Sequence, residues 1–129
     1  MGQLRPGRPS FANQISTLTS GDTLFIKSTA ASSFKQVDLL RRDGSPRTVA
    51  LLKGSNFVSY TGATGDVGAV FARIPGLQTA LRFDGATQTW LSYSASAPSF
   101  VNTLKTFSRL DGLFLIVDGP ASWGFAEAP

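Results

Sequence analysis

Cysteine and histidine are both absent from the 129-residue sequence. Without cysteine, a disulfide scaffold, a zinc ribbon and a thiol nucleophile are excluded. Without histidine, the chain lacks the commonest metal ligand and the usual general base near neutral pH, which excludes serine-histidine-aspartate triads and histidine-metal sites. These two absences favour a protein that is not an enzyme.

Charged residues are sparse, at 16% of the sequence, against roughly 25% in an average protein. A surface with so little charge suits close contact with neighbouring molecules. The net charge of +4 is compatible with anionic partners. The chain is long enough to bury one core without cross-links, so residues 1–129 are predicted to form a single domain.

Long apolar runs are missing as well. None approaches the ~20 residues of a membrane-spanning helix, so no membrane insertion is expected. The N-terminal residues MGQLRPGRPS lack the apolar core of a signal peptide. If the natural protein is exported, this chain is expected to be a mature form or an excised fragment.

The acidic residues give no sign of a catalytic or metal-binding cluster. They are scattered, mostly in predicted turns such as those at Asp22 and Asp111, and their spacing selects no pair of facing glycosidase carboxylates. The spacing of calcium-binding loops, a Gly-x-Ser-x-Gly elbow and a phosphate-cradling loop are also absent. The sequence therefore predicts no catalytic residue, no cofactor site and no metal site.

An internal repeat is the most informative feature that is present. Residues 9–34 align without gaps on residues 98–123, and both stretches begin Pro-Ser-Phe. In the second stretch Phe100, Leu104 and Phe107 have the i, i+4, i+7 spacing of a helix of two to three turns. The apolar run 113–117 then predicts a buried strand. We therefore expect one helix-then-strand unit that is used twice.

Further elements are predicted between and after the two units. Strands near 36–42 and 47–53 flank a turn and should form a hairpin, and a strand follows Gly54. A short helix capped by Asp66 or Thr64 should end at Pro75-Gly76. LQTALRF and TQTWLSY should form a second hairpin, and residues 124–129 read as a frayed tail or linker. The prediction is a β-rich α+β fold: a small twisted sheet or barrel of about eight short strands with two or three short helices.

The order of several motifs resembles a known module. The motifs are Gly-x-Asn at 54–56, Trp-x-x-Tyr at 90–93, Ala-Pro-x-Phe-x-Asn-Thr-Leu at 97–104, and the closing Trp123. In this order, residues 54–123 resemble a tandem repeat module of secreted, multidomain cell-surface proteins from filamentous and thermophilic, Chloroflexi-like bacteria. Residues 6–34 resemble the closing half of a preceding copy. The resemblance implies export, display at the cell surface and no enzymatic role.

The chain departs from this module at two places. Ser55 or Tyr60 stands where its first strand usually carries tryptophan, and Leu113-Phe114 stands where its apolar strand favours an aromatic residue such as tryptophan. Both departures weaken the transfer of a surface-binding aromatic residue from the module to this chain.

Two sets of residues are candidates for binding. The aromatic set offers flat rings for sugars or bases, although the same rings would also serve a small core. Trp90 and Tyr93 lie three apart in one strand, so one should be buried and the other exposed. The basic set would contact phosphates or acidic polysaccharide, or would simply keep a hairpin soluble. The aromatic candidates are Trp90, Tyr93, Trp123, Tyr60 and Phe57; the basic candidates are Arg41, Arg42, Arg47 and Lys53.

Asn13 and Asn102 occupy equivalent sites in the two repeat units. Each is interpreted either as facing a ligand or as bonding nearby backbone.

Three functions remain open from the sequence. The first is an extracellular structural or adhesive module that self-associates as a filament or surface-layer subunit, with residues 6–34 completing a sheet in a neighbour. The second is a glycan-binding module that takes polysaccharide through its aromatic residues. The third is a single-stranded nucleic-acid binder, although nucleic acid is the least favoured partner.

Overall fold

The computed structural model describes residues 2–7, 14, 17, 23–31, 33 and 46–127 of the chain. Within these residues the protein is rich in β-strands and poor in helix. The strands are β1 (Pro46–Leu51), β2 (Gly54–Ser59), β3 (Gly65–Asp66), β4 (Leu77–Asp84), β5 (Thr89–Ser94), β6 (Thr106–Phe107), β7 (Gly112–Val117) and β8 (Ala121–Ala126). The helices are α1 (Val67–Phe71) and a single 3-10 turn (Ser99–Val101).

An antiparallel sheet of four strands forms the centre of the fold. Its strand order is β2-β7-β4-β5, so the apolar strand β7 lies between two neighbours. β1 pairs with β8, and β3 pairs with β6. The prediction of a β-rich fold is confirmed. The sheets are open, and the described residues do not show a closed barrel.

The β1–β8 pair continues the β2–β7 pair around a bend. Leu52 and Lys53 separate β1 from β2, and residues 118–120 separate β7 from β8. The Asn56 side chain holds the bend, because its Oδ1 accepts from the Leu52 backbone N–H (2.9 Å) and its Nδ2 donates to the Leu52 carbonyl (2.8 Å). The bend turns the second pair over the inner face of the central sheet.

The core lies between this inner face, α1 and the β1–β8 pair. Strand β7 alternates buried and half-buried residues, and its buried set is Leu113, Leu115 and Val117. Trp123 of β8 is 0% exposed and lies 4.8 Å from the Phe125 ring. The alternation of β7 gives the central sheet an inner face in the core and a separate outer face.

Helix α1 begins where the sequence predicts but ends earlier, at Phe71 rather than at Pro75-Gly76. Asp66 caps it, because its carboxylate accepts from the Ala69 N–H at 3.1 Å. Val67 and Phe71 are buried on one side. The chain leaves the helix before Pro75 and reaches Gly76 at φ +71°, a conformation that favours glycine. The predicted short helix and its capping residue are confirmed.

The helix predicted after Pro98 is wrong. Only the 3-10 turn Ser99–Val101 forms, and Asn102 already has extended backbone angles. Leu104 and Phe107 are buried, but from an extended chain, while Phe100 is 82% exposed. The spacing of these apolar residues suited a helix, yet hydrogen bonds to β5 hold the following segment extended.

The predicted tail at 124–129 is also wrong over its first residues. β8 runs to Ala126, Phe125 is buried, and Glu127 forms an isolated bridge with Gly62. Trp123 and Phe125 lie two residues apart, and this period-two spacing is typical of a strand with one buried face. The chain therefore stays in the fold at least to residue 127.

The structure does not reproduce the predicted repeat. Thr23–Ser28 aligns with β7 in sequence, but it carries no strand and most of it is exposed. Much of the first unit, and the predicted strand near 36–42, lie outside the described residues. Within the described part of the chain, the two stretches therefore have different environments.

Candidate interaction surface

The outer face of the central sheet carries no charged residue, and half of its residues have apolar side chains. Strand alternation and register place twelve residues on it. They are Ser55, Phe57 and Ser59 from β2, Gly112, Phe114 and Ile116 from β7, Thr79, Leu81 and Phe83 from β4, and Trp90, Ser92 and Ser94 from β5. An antiparallel sheet that packs one face on the core usually presents polar residues on the other. This face is therefore unusual for an exposed surface.

Its residues form rows that cross the four strands. One row, which we call the covered row, consists of Ser59, Gly112, Phe83 and Trp90. The next row, which we call the open row, consists of Phe57, Phe114, Leu81 and Ser92. The Phe83 and Trp90 rings lie 5.3 Å apart, and the Phe57 and Phe114 rings 4.7 Å apart. Each row thus contains one aromatic pair.

A segment from the N-terminal region lies across the covered row. This segment, Thr23–Ile26, is called the strap. The Thr23 hydroxyl is 3.1 Å from the Ser59 hydroxyl, and the Phe25 ring lies 5.2 Å from Phe83 and 5.3 Å from Trp90. The strap therefore reaches from the β2 side of the sheet to the β5 side.

Glycine at position 112 makes room for the strap. A Cβ atom built there would lie 2.5 Å from the Thr23 methyl carbon, closer than carbon atoms approach one another. A larger residue at this position would require the Thr23 side chain to move.

The predicted opposition of Trp90 and Tyr93 is confirmed. Trp90 is 47% exposed and belongs to the outer face. Tyr93 points to the other side, where it packs against the core with its ring 5.2 Å from Phe71. Phe57 also lies on the outer face and is exposed. Two of the aromatic candidates thus share one surface.

Tyr60 and Trp123 are not surface residues, so their prediction as binding aromatics is wrong. Both are buried, and their rings stack 5.8 Å apart. The Tyr60 hydroxyl donates to the Ala63 carbonyl at 2.8 Å. Burial raises the pKa of Tyr60, and the nearby Arg73 charge opposes this shift. Trp123 lies in the core as part of β8, and Tyr60 packs against it and against Phe125.

The predicted anion patch is not assembled by the residues that the structure describes. Arg47 lies near the start of β1, where it pairs with Glu127 at 3.6 Å and donates to the Thr61 hydroxyl. Lys53 lies beyond the other end of the same strand. The two positive charges are therefore separated by the length of β1. Arg41 and Arg42 lie outside the described residues.

The described carboxylates mostly serve local structure. The Asp111 carboxylate accepts from the Ser108 N–H at 2.7 Å and from Arg82 at 3.0 Å. The Thr87 hydroxyl and the Ala86 N–H hold the pKa of Asp84 below its ordinary value. No three acidic side chains in the described part of the chain come together as a metal site. Asp22 lies outside the described residues.

Asn102 forms hydrogen bonds with nearby backbone, which was one of the two roles considered for it from the sequence. Its Oδ1 accepts from the Ser94 N–H at 2.9 Å, and the neighbouring Thr103 hydroxyl accepts from the Ser92 N–H at 2.8 Å. Both acceptors lie along the edge of β5. They occupy positions that a further strand would take. Asn13 lies outside the described residues.

Sequence reasoning did not find the outer face. A signal for it was present in β7, whose residues Leu113–Val117 are apolar on both sets of alternating positions. Such a continuous run is typical of a strand with two apolar faces. The strap carried no comparable signal, because Leu24-Phe25-Ile26 reads as a strand.

Comparison with protein-family models, with curated proteins and with solved structures found no match for this chain. None of the described helices is long and apolar enough to cross a membrane. The described residues define a small β-rich domain whose central sheet presents an uncharged aromatic outer face.

Proposed function

We propose that this protein is a non-catalytic structural or adhesive module of the cell surface that self-associates through its outer face. The observation that carries the proposal is the uncharged, aromatic character of that face. Large exposed apolar patches commonly mark sites of interaction. Here Phe57 is exposed, while Phe114 and Leu81 are half-buried outside the main core. A partner that covered these side chains would remove apolar area from water.

A second copy of the chain is the partner that this chemistry favours. Two identical uncharged faces can pack without burying an unpaired charge, which would be costly. Such packing around a two-fold axis is also the commonest form of oligomer. The net charge of +4 does not oppose the contact directly, because none of it lies on the outer face.

Export, cell-surface location and growth into a filament or surface layer belong to the same proposal. Location rests on the motif order in residues 54–123. The low charge content of the sequence supports close packing with neighbours. Growth into a filament needs a second, different contact, because one two-fold contact closes as a dimer.

Analytical ultracentrifugation of the wild type and of Phe57→Ser tests self-association through this face. We expect the wild type to associate as its concentration rises, and the variant to dissociate at least about tenfold more readily. Phe100→Ser is the matched control, because it makes the same change at an exposed residue outside the outer face. Circular dichroism of each variant confirms that the fold is kept. A wild type that stays monomeric up to about 1 mM contradicts the proposal.

Glycan binding at Trp90 is a second candidate function. The indole is exposed, its surroundings on the outer face carry no charge, and an aromatic face pairs well with the CH face of a sugar. A glycan array with Trp90→Ala as the comparison tests it. Sugar retained by the wild type and lost by the variant supports this candidate, whereas no retained sugar removes it. Nucleic acid is less favoured, since no arginine or lysine on the outer face is available to meet phosphates.

A further inference from the structure

We infer that the strap is a two-sided apolar contact, and that a second copy docks on it by placing the open row of its outer face against Leu24 and Ile26. The inference rests on the proposed self-association and names the residues that meet in it. It commits to a second copy of this chain as the occupant of the open row.

The strap contacts its own sheet and also leaves apolar side chains exposed. Thr23 and Phe25 contact the covered row of their own sheet. Leu24 and Ile26 alternate with them and are 41% and 62% exposed. Phe25 is itself 51% exposed despite its two ring contacts. The strap therefore carries apolar surface that its own sheet leaves uncovered.

The open row offers a surface that matches these two side chains. It lies beside the covered row, about 7 Å further along the strands. Phe57, Phe114 and Leu81 line it, and none of them belongs to the buried core. Aliphatic side chains packed on these rings and on Leu81 would lose contact with water without facing any charge.

The position of the strap beside the open row suits a two-fold contact. Two copies can face each other through their outer faces, related by a two-fold axis that runs parallel to the rows. With this axis midway between the two rows, the covered row of each copy lies opposite the open row of the other. Each strap then packs on its own sheet through Phe25 and on the partner's sheet through Leu24 and Ile26. Both copies use the same residues, as a two-fold contact requires.

The double variant Leu24→Ser/Ile26→Ser tests the inference in sedimentation experiments. We expect its dimer dissociation constant to rise at least about tenfold over the wild type. Phe100→Ser/Val101→Ser is the matched control, because it replaces two exposed apolar residues outside the outer face. It should leave the dissociation constant unchanged.

Comparison with Phe57→Ser separates this inference from the proposed function. If the wild type associates and Phe57→Ser weakens it while Leu24→Ser/Ile26→Ser does not, self-association stands and the strap contact is overturned. If the wild type does not associate at all, both fail. Weakening by both variants supports the strap contact.

Cross-linking gives a second readout that does not depend on affinity. The chain has no cysteine of its own, so an introduced pair reports its contact without background. Leu24→Cys and Leu81→Cys, made in separate chains of different tagged length, are mixed and oxidised. We expect a disulfide-linked heterodimer, because the two side chains meet across the contact. Its absence, or an equal yield when Phe100→Cys replaces Leu81→Cys, overturns the inference.

Discussion

The two tryptophans lie in opposite environments although both were candidates for the surface. Trp123 is fully buried among the rings of Tyr60, Phe71 and Phe125, whereas Trp90 lies on the outer face. Residue type alone does not predict which tryptophan is buried, because tryptophan is common both in cores and in binding sites. Their neighbours decide the matter, since β8 turns Trp123 inward over the core.

Trp123→Ala should therefore destabilise the fold strongly. Large-to-small changes at buried aromatic residues cost about 3–5 kcal/mol, and a small domain has little more than that to lose. Trp90→Ala should cost much less, because half of its surface is already in water. Urea denaturation of both variants checks the difference. Equal losses at the two sites would contradict the burial that the structure assigns.

Tyr60 should make stability depend on alkaline pH. Burial raises its pKa in the folded state, so the fold favours the neutral phenol. The resulting stability is fully present below the ordinary pKa of tyrosine, about 10, and is lost as pH rises through the folded pKa. Tyr60→Phe should lose about 1 kcal/mol at neutral pH with its hydrogen bond to Ala63. Its unfolding free energy should then fall less above pH ~10 than that of the wild type. Parallel declines in the two proteins would contradict the assignment.

Among the elements, those with strong local signals were predicted correctly. The β4–β5 hairpin has alternating strands around an Asp-Gly turn, and α1 has both a capping residue and a Pro-Gly stop. These signals lie within a few residues of the structure they specify. The β-rich class followed from them.

The elements that were predicted wrongly depend on distant contacts. The segment after Pro98 has helical spacing, but Asn102 and Thr103 bond the edge of β5 and hold it extended. The aligned stretches at 23–28 and 112–117 share a Leu-Phe pair, yet one becomes a central strand and the other lies on the face of the sheet. The residues of a segment do not by themselves determine which distant segment it packs against.

Asn102→Ala should destabilise the β5 edge. The Ser94 N–H would lose the side-chain oxygen that now accepts its hydrogen bond, and leaving such a partly buried donor without a partner costs about 1–3 kcal/mol. Urea denaturation measures the loss, and faster amide exchange at Ser94 locates it. Ser96→Ala, an exposed neighbour, is the control and should change stability little. Unchanged exchange at Ser94 in the Asn102 variant would contradict this role.

At the scale of the whole molecule, the central sheet carries aromatic or aliphatic side chains on both of its faces. Its inner face is covered by α1 and the β1–β8 pair, while the strap lies across one row of its outer face. The sequence indicated this only indirectly, through its low charge content and the continuous apolar run of β7. The proposed self-association adds a second molecule to the outer face, and no local signal in the sequence specifies such a contact.

The proposed contact between copies should respond little to salt. Its surfaces carry no charge, so screening has almost nothing to weaken. Raising NaCl from about 50 mM to about 500 mM should change the dimer dissociation constant by less than about threefold, whereas phosphate binding would weaken by orders of magnitude over that range. Sedimentation at both salt concentrations measures this. Steep weakening by salt would show that charged residues outside the outer face make the contact, since Phe57, Leu81 and the strap residues cannot respond in that way.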